Sequence, residues 1–135
     1  MRALVLVAVL AAAALVGCAS DASRAQDTVT KAISALAKGD QKTFCQQLTP
    51  AAQRKLLKVL QDNPLGDDIH ASTCGVAITK LYHELSKPIR AVLTDGEVDD
   101  AKITGDKAVV HVIGVGLNID LQKIAGSWKI TGGFL

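Results

Sequence analysis

The fold is decided by residues 97–131, which read EVDDAKITGDKAVVHVIGVGLNIDLQKIAGSWKIT. Short runs rich in β-branched residues alternate here with turn residues, and apolar and polar side chains follow each other with a period of two. Gly105-Asp106, Gly114-Val115-Gly116 and Ala125-Gly126-Ser127 have the composition of tight turns. Four strands follow from this pattern, with predicted ranges 98–104, 108–113, 117–122 and 128–131. We expect them to form an antiparallel meander.

Upstream of this segment the period of the apolar residues is helical. Ser23-Arg24-Ala25-Gln26 has the form of a capping box, and apolar residues then recur at helical spacing until Gly39. This pattern predicts a first helix over residues 23–38. Asp40 has a side chain suited to capping a short second helix that carries Phe44 and Cys45.

Two further helices precede the strands. Pro50 suits the first position of a third helix, which is predicted to end near Asn63. A fourth helix is predicted from Cys74 onward and is expected to stop at Pro88, because proline breaks the interior of a helix. Helices first and strands second predict an α+β domain, in which N-terminal helices cover one face of a curved antiparallel meander.

The first 17 residues have the organisation of a secretion signal. Met1-Arg2 supplies a positive charge, and the run from Ala3 to Val16 is uncharged and consists of Ala, Leu and Val. A helix needs roughly twenty apolar residues to cross a bilayer, so this run favours a signal peptide over a permanent span.

The leader ends in Leu15-Val16-Gly17-Cys18, which resembles the lipobox of bacterial lipoproteins: Leu, a small or apolar residue, Gly or Ala, then Cys. The resemblance implies that the Cys18 thiol takes up a diacylglycerol, that the peptide is cut before it, and that its amino group is acylated with a further fatty acid. Two or more acyl chains anchor a protein stably, whereas one binds membranes only marginally. The alternative is an ordinary secretory peptide cut near Ala19, with Cys18 unmodified.

The leader also sets the expected domain organisation and location. Residues 1–17 would be the signal peptide, residues 18–22 a lipidated tether, and residues 23–135 a single domain with a modest core. We expect this domain to be held by its lipid at the extracytoplasmic face of a membrane of the cell envelope.

Composition narrows the classes of partner. The chain has 15 Lys and Arg against 13 Asp and Glu, scattered along its length, so it lacks the basic patch typical of nucleic-acid binding. Its rings are few, which disfavours base-stacking surfaces. They are Phe44, Tyr82, Trp128 and Phe134. The core is therefore expected to be aliphatic, and no cofactor or nucleic-acid partner is predicted.

Two cysteines remain once Cys18 is assigned to the lipid. In an oxidising compartment Cys45 and Cys74 are expected to form a disulfide. A nucleophilic or metal-binding cysteine, with His70 four residues before Cys74, is the alternative. A zinc site needs three or four ligands, and only these two have suggestive spacing, so no metal is predicted.

A second resemblance involves most of residues 23–131. Its parts are Ala37-Lys38-Gly39-Asp40, a Cys in the second helix, Leu48-Thr49-Pro50, a later Cys, and the closing Gly126-Ser127-Trp128-Lys129-Ile130. Together they are similar to small actinobacterial-type lipoproteins of the nuclear-transport-factor-like superfamily. The resemblance implies a cone of helices against a curved sheet, with a cavity between them that relatives use for ligands, catalysis or partners. A cystatin-like cone is the alternative fold.

Candidate pocket residues are Tyr82, His83, His111 and Trp128. Enzymes of that superfamily place an Asp or His base opposite a Tyr in an apolar cone, which suggests a small isomerase or hydrolase using one of the histidines with a carboxylate such as Asp99 or Asp100. No catalytic motif orders these residues. The favoured hypothesis is a non-enzymatic lipoprotein that binds an apolar small molecule or lipid, or an envelope protein.

Overall fold

The computed structural model of the chain describes residues 20–62 and 71–134, and within these ranges five helices precede four strands. The helices are α1 (Asp21–Lys38), α2 (Gln41–Gln47), α3 (Pro50–Asp62), α4 (Cys74–Glu84) and α5 (Lys87–Thr94). The strands are β1 (Lys102–Thr104), β2 (Lys107–Val112), β3 (Leu117–Ile124) and β4 (Ser127–Gly132). The predicted α+β class is therefore confirmed.

The four strands form one antiparallel sheet in chain order, β1-β2-β3-β4. Side chains alternate between two faces, and most side chains on the face that β2, β3 and β4 turn to the helices are buried. The buried side chains of that face are Ala108, Val110, Val112, Ile119, Leu121, Trp128 and Ile130. Val29, Ala32 and Ile33 of α1 are buried with them in a single core, which is aliphatic as predicted.

Helix α1 begins two residues earlier than predicted. The N-cap is Ser20, whose Oγ accepts a hydrogen bond from the backbone N–H of Ser23, so the expected cap at Ser23 is wrong. Both serines satisfy the capping preference, and the sequence pattern alone does not separate them. Residues 21 and 22, which were assigned to the tether, are helical.

The junction between α2 and α3 is attached to the edge of the sheet. Asp40 caps α2 as predicted, and hydrogen bonds from Thr43 hold the pKa of this carboxyl below its ordinary value. Thr49 caps α3 by accepting a bond from the N–H of Ala52. The Thr49 N–H in turn donates to the carbonyl of Ile130 at 2.9 Å, beside a parallel bridge between Leu48 and Ile130.

Pro88 begins a helix instead of only ending one. Helix α4 ends at Glu84, and α5 follows after Ser86 with proline in its first turn, where no N–H is needed. The sequence prediction does not include α5, a helix of eight residues in which Ile89 and Val92 are exposed. Leu93 alone in this helix is buried.

The first strand is shorter than predicted. Residues 98–101 lie outside β1, although Val98 forms an isolated bridge with Val112. Asp99 donates its N–H to the carbonyl of His111, and its own carbonyl accepts from the side chain of Gln26 in α1. The hydrogen bond from Gln26 occupies the carbonyl of Asp99, a backbone group that would pair with a neighbouring strand in a regular sheet. The other three strands differ from their predicted ranges by at most two residues at either end.

The sulfur atoms of Cys45 and Cys74 lie 2.02 Å apart, which is the distance of the expected disulfide. The bond joins α2 to the first residue of α4. Cys74 is buried and Cys45 half-buried, so the bond belongs to the packing between these two helices.

The β3–β4 hairpin contains a strained residue. Ile124 pairs with Ser127, leaving a two-residue turn in which Ala125 has φ 49° and Gly126 φ 80°. Turns of this kind favour Asn-Gly, because alanine adopts positive φ at a cost of about 1 kcal/mol. We expect Ala125→Asn to raise the free energy of unfolding by about 0.5–1 kcal/mol, measured by urea denaturation. Ala125→Val should lower it, and the reverse order of the two variants would contradict this account.

Candidate functional site

A cleft with a volume of about 620 Å³ lies between α3 and the end of the sheet. Its walls come from three segments: one face of α3, the middle of β3, and the end of β4 with the residues after it. The lining residues are Ala52, Lys55, Leu56, Lys58, Val59, Asp62, Asp120, Thr131, Gly132, Gly133 and Phe134. We call this space the α3 cleft.

The apolar part of the α3 cleft is built by helix periodicity. Ala52, Leu56 and Val59 follow each other at spacings of four and three, so they occupy one face of α3. Ala52 and Leu56 are buried, while Val59 is half-buried. Opposite them stands Phe134, whose ring packs against that of Phe44 with centroids 5.6 Å apart.

A β-bulge shapes the sheet side of the cleft. Asp120 pairs with Gly132 while Leu121 pairs with Ile130, so Thr131 is the extra residue on β4. The Thr131 hydroxyl donates to the Asp120 carbonyl at 3.1 Å. Asp120, Thr131 and Gly132 at this bulge line the cleft.

The rim carries charges of both signs. Lys58 and Asp62 form an exposed ion pair of 3.2 Å one helical turn apart, which leaves Lys55 and Asp120 to meet a ligand. An exposed pair of this kind contributes little to stability. The α3 cleft therefore combines an apolar floor with one positive and one negative group at its mouth, an arrangement suited to an amphiphilic molecule.

A second hollow of about 460 Å³ lies on the outer face of the sheet. It is lined by Asp99, Asp100, Lys102, Val109, His111 and Asn118. His111 is half-buried, and its Nδ1 lies 2.9 Å from Oδ1 of Asn118. The amide oxygen of Asn118 accepts this hydrogen bond, so Nδ1 is the donor.

The structure does not bring the four predicted pocket residues together. Tyr82 is half-buried on α4, with the guanidinium of Arg90 4.9 Å from its ring centre, and His83 beside it is exposed. Neither lines the α3 cleft or the outer hollow. His111 lies on the outer face of the sheet. It lines the second hollow together with Asp99 and Asp100, and within the described residues no hydrogen bond joins it to a carboxylate.

Trp128 is a core residue. Its ring is buried on the helix side of β4, and the indole Nε1 is buried without a hydrogen-bond partner among the described residues. Lys123 stands 6.0 Å from the ring centre and forms an ion pair of 3.0 Å with Asp21. The hydrogen bond and positive charge of Lys123 hold the pKa of Asp21 below its ordinary value.

Several sequence predictions concern residues outside the described part of the chain. These are the signal peptide with Cys18, and His70. Across residues 20–62 and 71–134 no group of three or more potential metal ligands is found. No helix in these two ranges has the length and apolarity needed to cross a membrane.

Sequence reasoning missed the α3 cleft, although it recognised parts of its wall. The sequence predicts α3 as a helix with no binding role, and it presents Phe134 only as one of four rings. The sequence feature that could have indicated this cleft is Gly132-Gly133-Phe134 directly after the predicted fourth strand. Paired glycines beside a large ring indicate that another part of the backbone approaches closely there. Comparison with family models, with curated proteins and with solved structures found no match for this chain.

Proposed function

We propose that this protein is a non-enzymatic lipoprotein of the cell envelope, anchored at an extracytoplasmic membrane face through lipid on Cys18, whose α3 cleft binds an apolar or amphiphilic small molecule. The observation that carries the binding role is the α3 cleft itself, with an apolar floor of Leu56, Val59 and Phe134. Its volume of about 620 Å³ lies in the range typical of small-molecule sites.

The anchor is supported by the leader. An uncharged run ending in Leu-Val-Gly-Cys provides a recognition sequence and an acceptor thiol, and the chain turns polar at Ser20-Asp21 directly afterwards. The Cys45–Cys74 disulfide distance agrees with an oxidising location, because such bonds are rare where thiols are kept reduced.

Replacing the acceptor thiol tests the anchor. We expect Cys18→Ser to abolish incorporation of labelled fatty acid in a bacterial host and to release the chain from the membrane fraction, since serine lacks the thiol. Ser20→Cys in the Cys18→Ser background serves as a control, because it restores a thiol at the wrong distance from the cleavage signal. Unchanged labelling of Cys18→Ser would contradict the proposal.

Filling the cleft tests the binding role. Val59→Trp places an indole in the α3 cleft, whereas Val76→Trp places one on the exposed face of α4 outside it. We expect Val59→Trp to weaken binding of a fluorescent fatty acid at least about tenfold and Val76→Trp to leave it unchanged. Native mass spectrometry of protein extracted from the host should show a bound small molecule only when Val59 is present. Equal affinities for the two variants would contradict the role of the cleft.

A further inference from the structure

One end of the domain gathers both hairpin tips and the start of α1. The backbone N–H of Lys123 donates to the carbonyl of Asp106 at 2.7 Å, and the Lys123 ammonium reaches Asp21 at 3.0 Å. The turn Gly105-Asp106, the first turn of α1 and the turn after Ile124 therefore meet at the same place. We call this region the hairpin-tip surface. It comprises Ser20, Asp21, Gly105, Asp106 and residues 124–127.

The position of Cys18 fixes how far this surface can lie from a lipid anchor. Helix α1 begins three residues after Cys18, at Asp21, and Ser20 is already tied down as its N-cap. Three residues span at most about 11 Å even when fully extended. A domain held at Cys18 by acyl chains therefore keeps Asp21 within reach of the lipid headgroups, and the neighbouring hairpin tips with it.

The chemistry of the hairpin-tip surface suits this position. Ile124 is 46% exposed although it is apolar, and it stands at the very end of β3. The Asp21–Lys123 ion pair is internal to the surface, and the low pKa of Asp21 keeps it charged. Around it lie exposed Asp106 and Lys107, one charge of each sign. Such a surface presents one apolar side chain with little net charge, so it does not need an anionic bilayer.

The opposite end of the sheet is chemically similar but points away. Val112 pairs with Leu117, and the loop between them carries Ile113, which is 41% exposed. Seven residues of β3 lie between this loop and Ile124, so the two ends are about 25 Å apart along the strand. Ile113 and Ile124 are thus two comparably exposed isoleucines at opposite ends of one rigid element.

We propose, on the basis of the lipid anchor proposed above, that the hairpin-tip surface contacts the phospholipid surface of the anchoring membrane with Ile124 at headgroup depth. The long axis of the sheet then stands away from the bilayer, and α5 with the 113–116 loop projects into the aqueous space. The domain has a fixed orientation on the membrane instead of moving freely on a tether.

Single-cysteine labelling tests this orientation in the full lipidated protein. The chain has three cysteines, of which Cys18 is alkylated by lipid and the other two are joined to each other, so an introduced cysteine is the only free thiol. Ile124→Cys and Ile113→Cys are each labelled with an environment-sensitive nitrobenzoxadiazole dye and reconstituted into phosphatidylcholine vesicles. Circular dichroism of both labelled proteins checks that the exposed substitutions preserve the fold.

We expect the emission of the dye at position 124 to be blue-shifted on vesicles and about twofold stronger than in the same labelled protein carrying Cys18→Ser, measured in solution without detergent. The emission of the dye at position 113 should be the same in both samples. Quenching by a nitroxide placed on the lipid headgroup should follow the same order. Equal emission and quenching at both positions, in protein that still floats with the vesicles, would overturn the oriented contact and leave the anchor intact. Protein that fails to float would overturn the anchor itself, and with it this inference.

Discussion

Removal of the disulfide by the double substitution Cys45→Ala/Cys74→Ala is expected to lower the free energy of unfolding by about 3–4 kcal/mol. The bond closes a loop with a sequence separation of 29, and opening it restores conformational freedom to the unfolded chain. Domains of this size have total stabilities of only about 5–15 kcal/mol, so the effect is large. Urea denaturation of the soluble Cys18→Ser form, followed by far-ultraviolet circular dichroism, measures it.

Reduction of the unsubstituted disulfide provides the matched control. The reduced Cys18→Ser form keeps both sulfur atoms in place, so its stability separates the loop-closure effect from the small cavities that alanine leaves. We expect the reduced protein to lose nearly as much as the double variant, because chain entropy dominates. If reduction lowered the free energy of unfolding by less than about 1 kcal/mol, this explanation would be contradicted, because closing the loop would then contribute almost nothing to stability.

Substitution of Gly133 by alanine is expected to destabilise the protein by about 2–3 kcal/mol. Gly133 has φ 93°, and a Cβ there would lie 2.0 Å from the carbonyl oxygen of Asn118 and 2.8 Å from the Cα of Ile119. Both atoms belong to the backbone of β3, which is hydrogen bonded to strands on both sides and cannot yield. The residues after β4 must therefore move away, which takes Phe134 from Phe44 and widens the α3 cleft.

The variant Gly116→Ala separates the steric clash of an added Cβ from the energetic cost of placing alanine at positive φ. Gly116 also has positive φ, at 67°, but nothing lies within 4 Å of a Cβ built there. It should lose only about 1 kcal/mol, the cost of a left-handed alanine. In addition, Gly133→Ala should weaken fatty-acid binding while Gly116→Ala leaves it unchanged. Equal destabilisation by the two variants would show that the close approach to β3 is unimportant.

Local patterns predicted most of the secondary structure. Asp40, Pro50 and Gly39 carry their own conformational preferences, and the helix boundaries they mark are confirmed. The errors arise where two local solutions are similar in energy. Ser20 and Ser23 are both competent caps, and proline at 88 is compatible with the end of one helix or the first turn of the next.

The candidate site could not be predicted in the same way, because it depends on contacts between distant segments. Val59 and Phe134 face each other across the α3 cleft from positions 75 residues apart in the sequence. Of the residue types that suggest chemistry, Tyr82 and His83 lie on α4, whereas His111 lies on β2. Alternation along β2 left open which face is buried, and only the pairing with β3 and the helices determines that His111 faces outward.

The attachment of the α2–α3 junction to Ile130 has a consequence for aggregation if the proposed lipid anchor holds many copies close together. Exposed edges of β-sheets recruit strands from other molecules and promote aggregation. The Thr49 N–H and the Leu48 bridge occupy part of the β4 edge, while the opposite edge strand, β1, has only three residues, of which one is Lys102. Copies concentrated side by side in two dimensions would therefore find little free backbone on which to polymerise.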